Sequence, residues 1–207
     1  MMELHLIRHG KTLANEQRLY CGQTDIPLSD SGVAEILELK NRGIYPPGAD
    51  LYFTSGLART TRTLELLYGP VPHEALPQLG EFRFGSFEMK SHDELNPLAD
   101  YQNWIMDDSG KTPCPGGESR QDFSLRVQAG YGVLLARAYG VKNHGRHMEY
   151  CYTPKGAVLA VCHGGVITYI MEMLFPARHN FYEWQPAPGR GYTIEYTVGG
   201  KVSYKKI

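Results

Sequence analysis

At 207 residues the chain has the length of one domain able to bury a sizeable core. Its 21 Lys and Arg against 22 Asp and Glu leave a net charge of −1, so neither nucleic acid nor an anionic membrane is attracted to it globally. Apolar runs are short, six residues from Ala157 to Cys162 and four from Leu4 to Ile7; a bilayer span needs ~20. No basic, apolar, small-residue leader opens the chain, and a cytoplasmic protein is expected. Cys21, Cys114, Cys151 and Cys162 lack metal-type spacing. They read as free thiols in a reducing cytosol, with two disulfides as the alternative.

In chain order, Leu4 to Ile7, with His5 inside the run, predicts a buried strand that empties into Arg8-His9-Gly10. Pro27-Leu28-Ser29 leads into a helix carrying Val33, Ile36, Leu37 and Leu39, capped by Ser29 and stopped by Gly43, Pro46 and Pro47. Asp50 to Phe53 predicts a second strand, Thr54-Ser55-Gly56 a turn, and Ala58 to Tyr68 a helix. An extended segment is expected between Pro70 and Leu79. Phe82 to Gly117 reads as an insertion with a short helix around Leu98 to Met106. A long helix follows from about Ser119 to Tyr139, where Phe123, Val127, Tyr131, Leu134 and Ala138 keep three-or-four spacing. Gly140 to Gly156, rich in Gly, His and Tyr, reads as a surface excursion. Ala157 to Cys162 is a buried strand, and His163-Gly164-Gly165 opens a helix through about Leu174. Pro176, Pro186 and Pro188 lie in loop, and Tyr192–Val198 with Lys201–Ile207 form a hairpin around Gly199-Gly200. Alternating strands and helices predict α/β layers, in one domain over residues 1–207 without repeats or linkers.

These elements set chemistry at equivalent positions. His9 follows the first strand, Arg59 begins the helix after the second, Glu81 ends Pro77-Gln78-Leu79-Gly80, and His163 follows the late apolar strand. A parallel sheet with right-handed crossovers gathers such strand ends along one edge. Two His, Arg8, Arg59 and one Glu at a helix N-terminus make an anion pocket with a nucleophile and an acid. That is equipment for phosphoryl transfer without a metal. Taken singly, an Arg or Glu is ordinarily a solvated charge, His163 a satisfied strand-end residue, and Asn15 a turn cap. Cys162 reads as core. His144, His147 and His92 lack a third ligand at metal spacing. Trp104, Tyr101 and Phe87 read as core ahead of substrate platform.

Arg8-His9-Gly10, Ser55-Gly56-Leu57-Ala58-Arg59-Thr60, Gly80-Glu81-Phe82-Arg83-Phe84-Gly85-Ser86-Phe87-Glu88 and Cys162-His163-Gly164-Gly165 stand in order along the chain. Together they resemble the motifs of the histidine phosphatase superfamily, from Leu6 to the final hairpin. The resemblance implies a phosphoglycerate-mutase-like, three-layer α/β/α sandwich around a mostly parallel sheet, with a helical insertion at about 82–117 and a C-terminal hairpin. It implies His9 as nucleophile through a phosphohistidine, and Glu81 as acid and base. Arg8, Arg59, His163 and the backbone near Gly164 would hold phosphoryl oxygens. Asn15 falls where the family keeps a phosphate-contacting Asn, and Gly22 and Gln23 lie in Tyr20–Ser29, which resembles the family's following loop. No cofactor or metal is implied. The partner is a small-molecule phosphomonoester, not nucleic acid or membrane, and a homo-oligomer stays open. Two departures stand out: Gly56 replaces a usual Pro, and Arg62 replaces a usual Gln. Arg62, three residues after Arg59, either adds an anion contact or pairs with a carboxylate.

A mutase grips a second phosphate and a carboxylate, and mutases of this superfamily carry an adjacent Arg pair in a longer insertion. Here residues 82–117 offer Arg83, Lys90 and Lys111 against Glu88, Asp93, Glu94, Asp100, Asp107 and Asp108. Three cations against six anions make a poor lid for a polyanion and favour a hydrolase. Phe87-Glu88-Met89, Trp104, Pro115-Gly116-Gly117-Glu118-Ser119 and Arg126-Val127 resemble the α-ribazole phosphatase branch, which acts on a nucleotide-like precursor in cobalamin assembly. The alternatives are a cofactor-dependent phosphoglycerate mutase and a catalytically silent phosphate-binding regulatory domain.

Overall fold

The computed structural model describes residues 2–140, 142–144, 147–149, 156–176, 178–179, 181–197 and 200–207. β1 (Met2–Arg8) comes first, then a single turn α1 (Leu13–Glu16) that periodicity had not shown. α2 (Asp30–Asn41) begins at Ser29, whose side chain accepts from the Gly32 N–H, as the cap chemistry predicted. β2 (Leu51–Thr54) and α3 (Ala58–Tyr68) lie within a residue of expectation. The extended segment shortens to β3 (Glu74–Ala75), followed by a 3-10 turn, Pro77–Leu79.

The insertion holds a second 3-10 turn (Gly85–Phe87), α4 (His92–Leu95) and α5 (Ala99–Ile105). α6 (Arg120–Ala138) starts from a Ser119–Asp122 capping box, and all five residues of its predicted apolar stripe are buried. β4 (Lys142–His144) and β5 (His147–Glu149) pair antiparallel within the expected excursion, of which residues 141, 145–146 and 150–155 fall outside the described ones. β6 (Ala157–Cys162) and α7 (Gly164–Leu174) follow, then the short α8 (Phe181–Trp184) and the closing hairpin β7 (Gly191–Tyr196) and β8 (Val202–Lys206).

The main sheet runs β3-β2-β6-β1-β7-β8. Its first four strands are parallel, and β7 and β8 are antiparallel additions. Side chains alternate across it. Ile7, Leu159 and Val161 pack with Ile36 of α2 and Leu64 and Leu67 of α3. On the other face Leu4, Leu6, Val158, Ala160 and Cys162 pack with Phe123, Val127 and Leu134 of α6 and Val166, Ile167 and Ile170 of α7. Both faces of the central strands are covered, which explains their unbroken apolar sequence.

Among the described residues Cys21, Cys114 and Cys162 are free thiols, and Cys162 is a core residue. No helix among those residues is long and apolar enough to cross a membrane.

Candidate active site

The site is built at the carboxyl ends of β1 and β6. These strands pair with Arg8 beside Cys162, and the His9 N–H extends the ladder by donating to the Cys162 carbonyl at 3.0 Å. His9 and His163 therefore leave adjacent strands together, their ring centroids 5.1 Å apart and 65° between planes. α3 fixes the turn after His9: Thr63 Oγ1 donates to the Arg59 carbonyl (2.8 Å) and accepts from the Gly10 N–H (3.0 Å). A Cβ on Gly10 would stand 2.9 Å from Ile36 Cγ1, so the turn tolerates only glycine at this packing.

His9 Nδ1 lies 2.7 Å from the Gly10 carbonyl. A carbonyl can only accept, so Nδ1 carries the proton and Nε2 keeps its lone pair. Burial, then the Arg59 and Arg8 guanidinium groups, hold the His9 imidazole well below its ordinary proton affinity. His163 is depressed in the same way, by burial first and by His9 and the arginines after it. Its Nε2 meets Ser55 Oγ at 2.8 Å, while its Nδ1 is buried without a partner.

Arg59 is 1% exposed although it carries a full charge. It donates to the Thr24 carbonyl at 2.9 Å and to the Gly22 carbonyl at 2.6 Å. Arg8 donates to the Pro186 carbonyl at 2.8 Å, and its buried Nε has no partner. Two cationic side chains thus converge on His9 with donors still unmet, the condition of a site made for an anion. Glu81 sits opposite, accepting from the Phe82 N–H (2.9 Å) and the Gly165 N–H (3.1 Å). A Cβ at position 165 would come within 2.5 Å of the Glu81 carboxylate, and one at 164 within 3.1 Å of Arg8 Cζ. The paired glycines let the acid and the guanidinium rest on the start of α7.

A cavity of about 730 Å³ opens over this cluster. Arg8, His9, Asn15, Arg59, Glu81 and Gly165 form its polar end. Tyr20, Phe82, Phe84, Trp104, Phe123 and Tyr169 line its wall. Arg120, Ser124, Glu172, Tyr182 and Gln185 are also among its lining residues. Asn15 both lines the cavity and caps α1, its Oδ1 accepting from the Thr12 N–H and hydroxyl.

Several expectations need correction. Arg62 does not line this cavity; its guanidinium is exposed and binds Glu65 at 3.2 Å, since an i,i+3 carboxylate is nearer than any anion over His9. Gly22 and Gln23 stand behind the cavity wall. Their N–H groups are taken by Glu88, the Gly22 carbonyl holds Arg59, and Gln23 Nε2 holds the Glu81 carbonyl at 3.0 Å. Gly164 lies against Arg8, and the cavity is lined instead by Gly165, whose N–H is bound to Glu81. Tyr101 and Phe87 are core, but Trp104 belongs to the cavity wall. Gly56 has φ +89, which proline cannot adopt, so this departure changes the backbone itself.

Sequence reasoning quoted Glu88 and Arg126 within motifs but gave neither a role. Glu88, counted there among the insertion's anions, accepts from the N–H groups of Gly22, Gln23, Thr24 and Phe84 and from the Thr24 hydroxyl. Arg126 pairs with Glu118 at 2.5 Å and donates to the Gln78, Gly80 and Glu81 carbonyls, fixing the turn that carries the acid. Arg120, Tyr169 and Glu172 gave no sequence signal beyond helical position. His92 meets the Tyr101 hydroxyl at 2.7 Å; the side chains of His144 and His147 lie outside the described residues. Among the described residues no group of three or more His, Cys, Asp or Glu side chains is placed to hold a metal ion.

A mostly parallel sheet that sets two imidazoles of lowered proton affinity beside the Arg8 and Arg59 guanidinium groups defines a class of protein, the phosphoryl-handling α/β enzymes that work through histidine. The profile of the histidine phosphatase superfamily (branch 1) matches residues 4–205, and the chain belongs to that superfamily. It is 30% identical over 177 residues to the adenosylcobalamin/α-ribazole phosphatase of Escherichia coli, covering 84% of this chain and 79% of that protein. The crystal structure of an α-ribazole phosphatase from Shigella flexneri superposes with a TM-score of 0.77 at 25% identity, covering 99% of this chain and 95% of that one. A phosphoglycerate mutase from Bacillus anthracis shares the fold, with a TM-score of 0.75 at 21% identity over 100% of this chain and 92% of that one.

Proposed function

We propose that the protein hydrolyses phosphate monoesters of small metabolites through a phosphohistidine at His9, without a metal. The observation that carries this is the Nδ1–Gly10 hydrogen bond, which leaves Nε2 its lone pair in a cavity that Arg8 and Arg59 also line. Nε2 attacks phosphorus, the P–N bond forms as the ester P–O bond breaks, and Glu81 gives its proton to the departing alkoxide. Water then attacks the phosphohistidine, Glu81 takes the water's proton, and the P–N bond breaks to release phosphate and His9. Arg8, Arg59 and His163 bind the equatorial oxygens throughout. The first step requires that Glu81 carry a proton when substrate is bound.

The aromatic wall suits a flat leaving group, and relatives named for α-ribazole support α-ribazole 5'-phosphate as the substrate. A mutase is disfavoured because Arg120 is the only cation among the described cavity residues away from the phosphate end, with no adjacent Arg beside it. A silent binding domain would have no need of a nucleophile, an acid and both arginines together. We place the protein in the cytoplasm, acting on small molecules and not on nucleic acid.

The test is an alkaline rapid quench during turnover of phosphorus-labelled substrate with EDTA present. Label on His9, and its loss together with turnover in His9→Ala at unchanged melting temperature, is the expected result. Turnover without label at position 9 overturns the mechanism.

A further inference from the structure

Ser55 follows β2, Thr60 lies in the first turn of α3, and both are buried. Their hydroxyls form a chain that leads to His163. Thr60 Oγ1 donates to the Leu57 carbonyl at 2.7 Å, which uses its one hydrogen. It therefore accepts from Ser55 Oγ, 3.1 Å away, and that contact uses the hydrogen of Ser55. Toward His163 Nε2, at 2.8 Å, Ser55 can then only accept, as it does from the Leu57 N–H at 3.4 Å. The reverse assignment would leave the Ser55 and Thr60 oxygens facing each other with no hydrogen between them. Nε2 thus carries the proton of the neutral imidazole, and Nδ1 keeps a lone pair.

Nδ1 is buried without a partner in a residue that is itself fully buried. It is the only uncommitted nitrogen of His163, so it is the one that can hold a phosphoryl oxygen. A bare nitrogen and an oxygen anion meet lone pair to lone pair, and the dianion of a phosphate ester brings no proton of its own.

We propose that Ser55 and Thr60 are positioning residues that keep the proton of neutral His163 on Nε2, so that a phosphate dianion is bound with one further proton taken from solvent onto Nδ1. The inference rests on the phosphohydrolase reading above, in which His163 holds an equatorial oxygen. The resulting imidazolium donates Nε2–H to Ser55 and Nδ1–H to the phosphoryl group. Around the ring stand His9 and Arg8 at the end of β1, Arg59 on α3 and Arg126 on α6. Glu81 is held nearby on the Gly165 N–H, and the buried Cys162 thiol precedes His163 in the chain. Burial and the surrounding cations keep the imidazole neutral in the free protein, and the charge of a bound dianion opposes them. His163 becomes a cation only when there is an anion to hold, which spares the free protein another unpaired buried charge beside Arg8 and Arg59.

Sulfate is the probe, a tetrahedral dianion that carries no proton near neutral pH. Long-range proton–nitrogen correlation spectra of isotope-labelled protein, recorded above the ordinary imidazole range, distinguish protonated from bare ring nitrogens. His163→Asn assigns the His163 signals. In the wild type without sulfate Nε2 should be protonated and Nδ1 bare; with saturating sulfate both should be protonated. These wild-type spectra decide without any variant. Thr60→Val removes the acceptor of the Ser55 hydrogen, which then turns to Nε2 and sends the ring proton to Nδ1. The Leu57 carbonyl keeps the Thr60 and Thr61 N–H groups, so α3 keeps its start. This variant should bind sulfate with His163 neutral, and Thr60→Ser should behave as the wild type. Sulfate affinity should fall with rising pH more steeply in the wild type than in Thr60→Val, by about tenfold per pH unit. A proton on Nδ1 in the sulfate-free wild type overturns the proposal, and so does a folded Thr60→Val that keeps wild-type protonation in both states. The His9 signals separate the two readings. If sulfate shifts them and leaves His163 Nδ1 bare, the proposal alone fails; if it shifts neither histidine, the phosphohydrolase site fails with it.

Discussion

The His9 imidazole, free in a peptide, would be partly protonated near pH 6.5, and a protonated imidazole cannot attack phosphorus. Here burial and two guanidinium groups strip that proton, and one backbone carbonyl chooses the nitrogen that stays bare. Glu81 faces the complementary task. Glu81→Gln keeps the hydrogen-bonding shape but has no proton to give. Its kcat/KM on alkyl phosphates should fall about 100-fold or more, the lower end of what acid catalysis supplies, and much less on nitrophenyl esters, whose leaving group needs no proton. An equal loss on both classes removes Glu81 as the acid. At this scale the sequence was legible for residues marked by a strand end or a Gly-Gly pair, such as His9 and His163. It was not legible for Arg62, because helical spacing shows which residues share a face but not which neighbour claims the charge.

Among the elements, the loop at 22–24 is a strut. Arg59 is held by the Gly22 and Thr24 carbonyls, and Glu88 in turn gathers the N–H groups of the same loop. One carboxylate between the second 3-10 turn and α4 thereby sets the position of a guanidinium on α3. Glu88→Ala leaves those donors unpaired and should destabilise the fold by about 1–3 kcal/mol. It should also lower kcat more than it raises KM, by up to about 100-fold, since a small misplacement of a group that holds the transition state costs that much. A melting curve and steady-state kinetics read the two effects. A variant that loses stability while keeping wild-type kcat shows that Arg59 is held by other means. The motifs that carry the resemblance contain Glu88 but give it no role, because its five donors come from two segments brought together only by folding.

Across the molecule, buried histidines tie stability to pH. His9, His163 and His5 all have proton affinities lowered by burial. Below about pH 6.5 the unfolded chain takes up protons that these imidazoles refuse when folded, so stability falls as pH drops. Above that range both states are neutral and the effect vanishes. Each such imidazole contributes a slope of up to about 1.4 kcal/mol per pH unit. Carboxylates with lowered affinity, such as Glu16, Asp107 and Asp122, add their own loss only in more acidic solution, below the ordinary carboxylate range. Denaturant unfolding at pH 7.5, 6.5 and 5.5 should show a plateau and then a decline, and His163→Asn should flatten the decline by about one proton's share. An unchanged slope in that variant would place the linkage elsewhere.

The sequence by itself determined the layers, because a strand buried on both faces must be continuously apolar and an amphipathic helix must repeat every three or four residues. Ala157–Cys162 and the stripe of α6 obey those rules with no help from the rest of the chain. It also marked the positions where strand ends and glycines expose chemistry. Only the tertiary structure decided what stands behind and beside that chemistry. Which loop clasps Arg59, which carboxylate gathers that loop's N–H groups, and which guanidinium fixes the turn that carries Glu81 depend on segments far apart in the chain. Such contacts leave no period in a sequence, since each is fixed by where whole elements pack and not by the residues on either side.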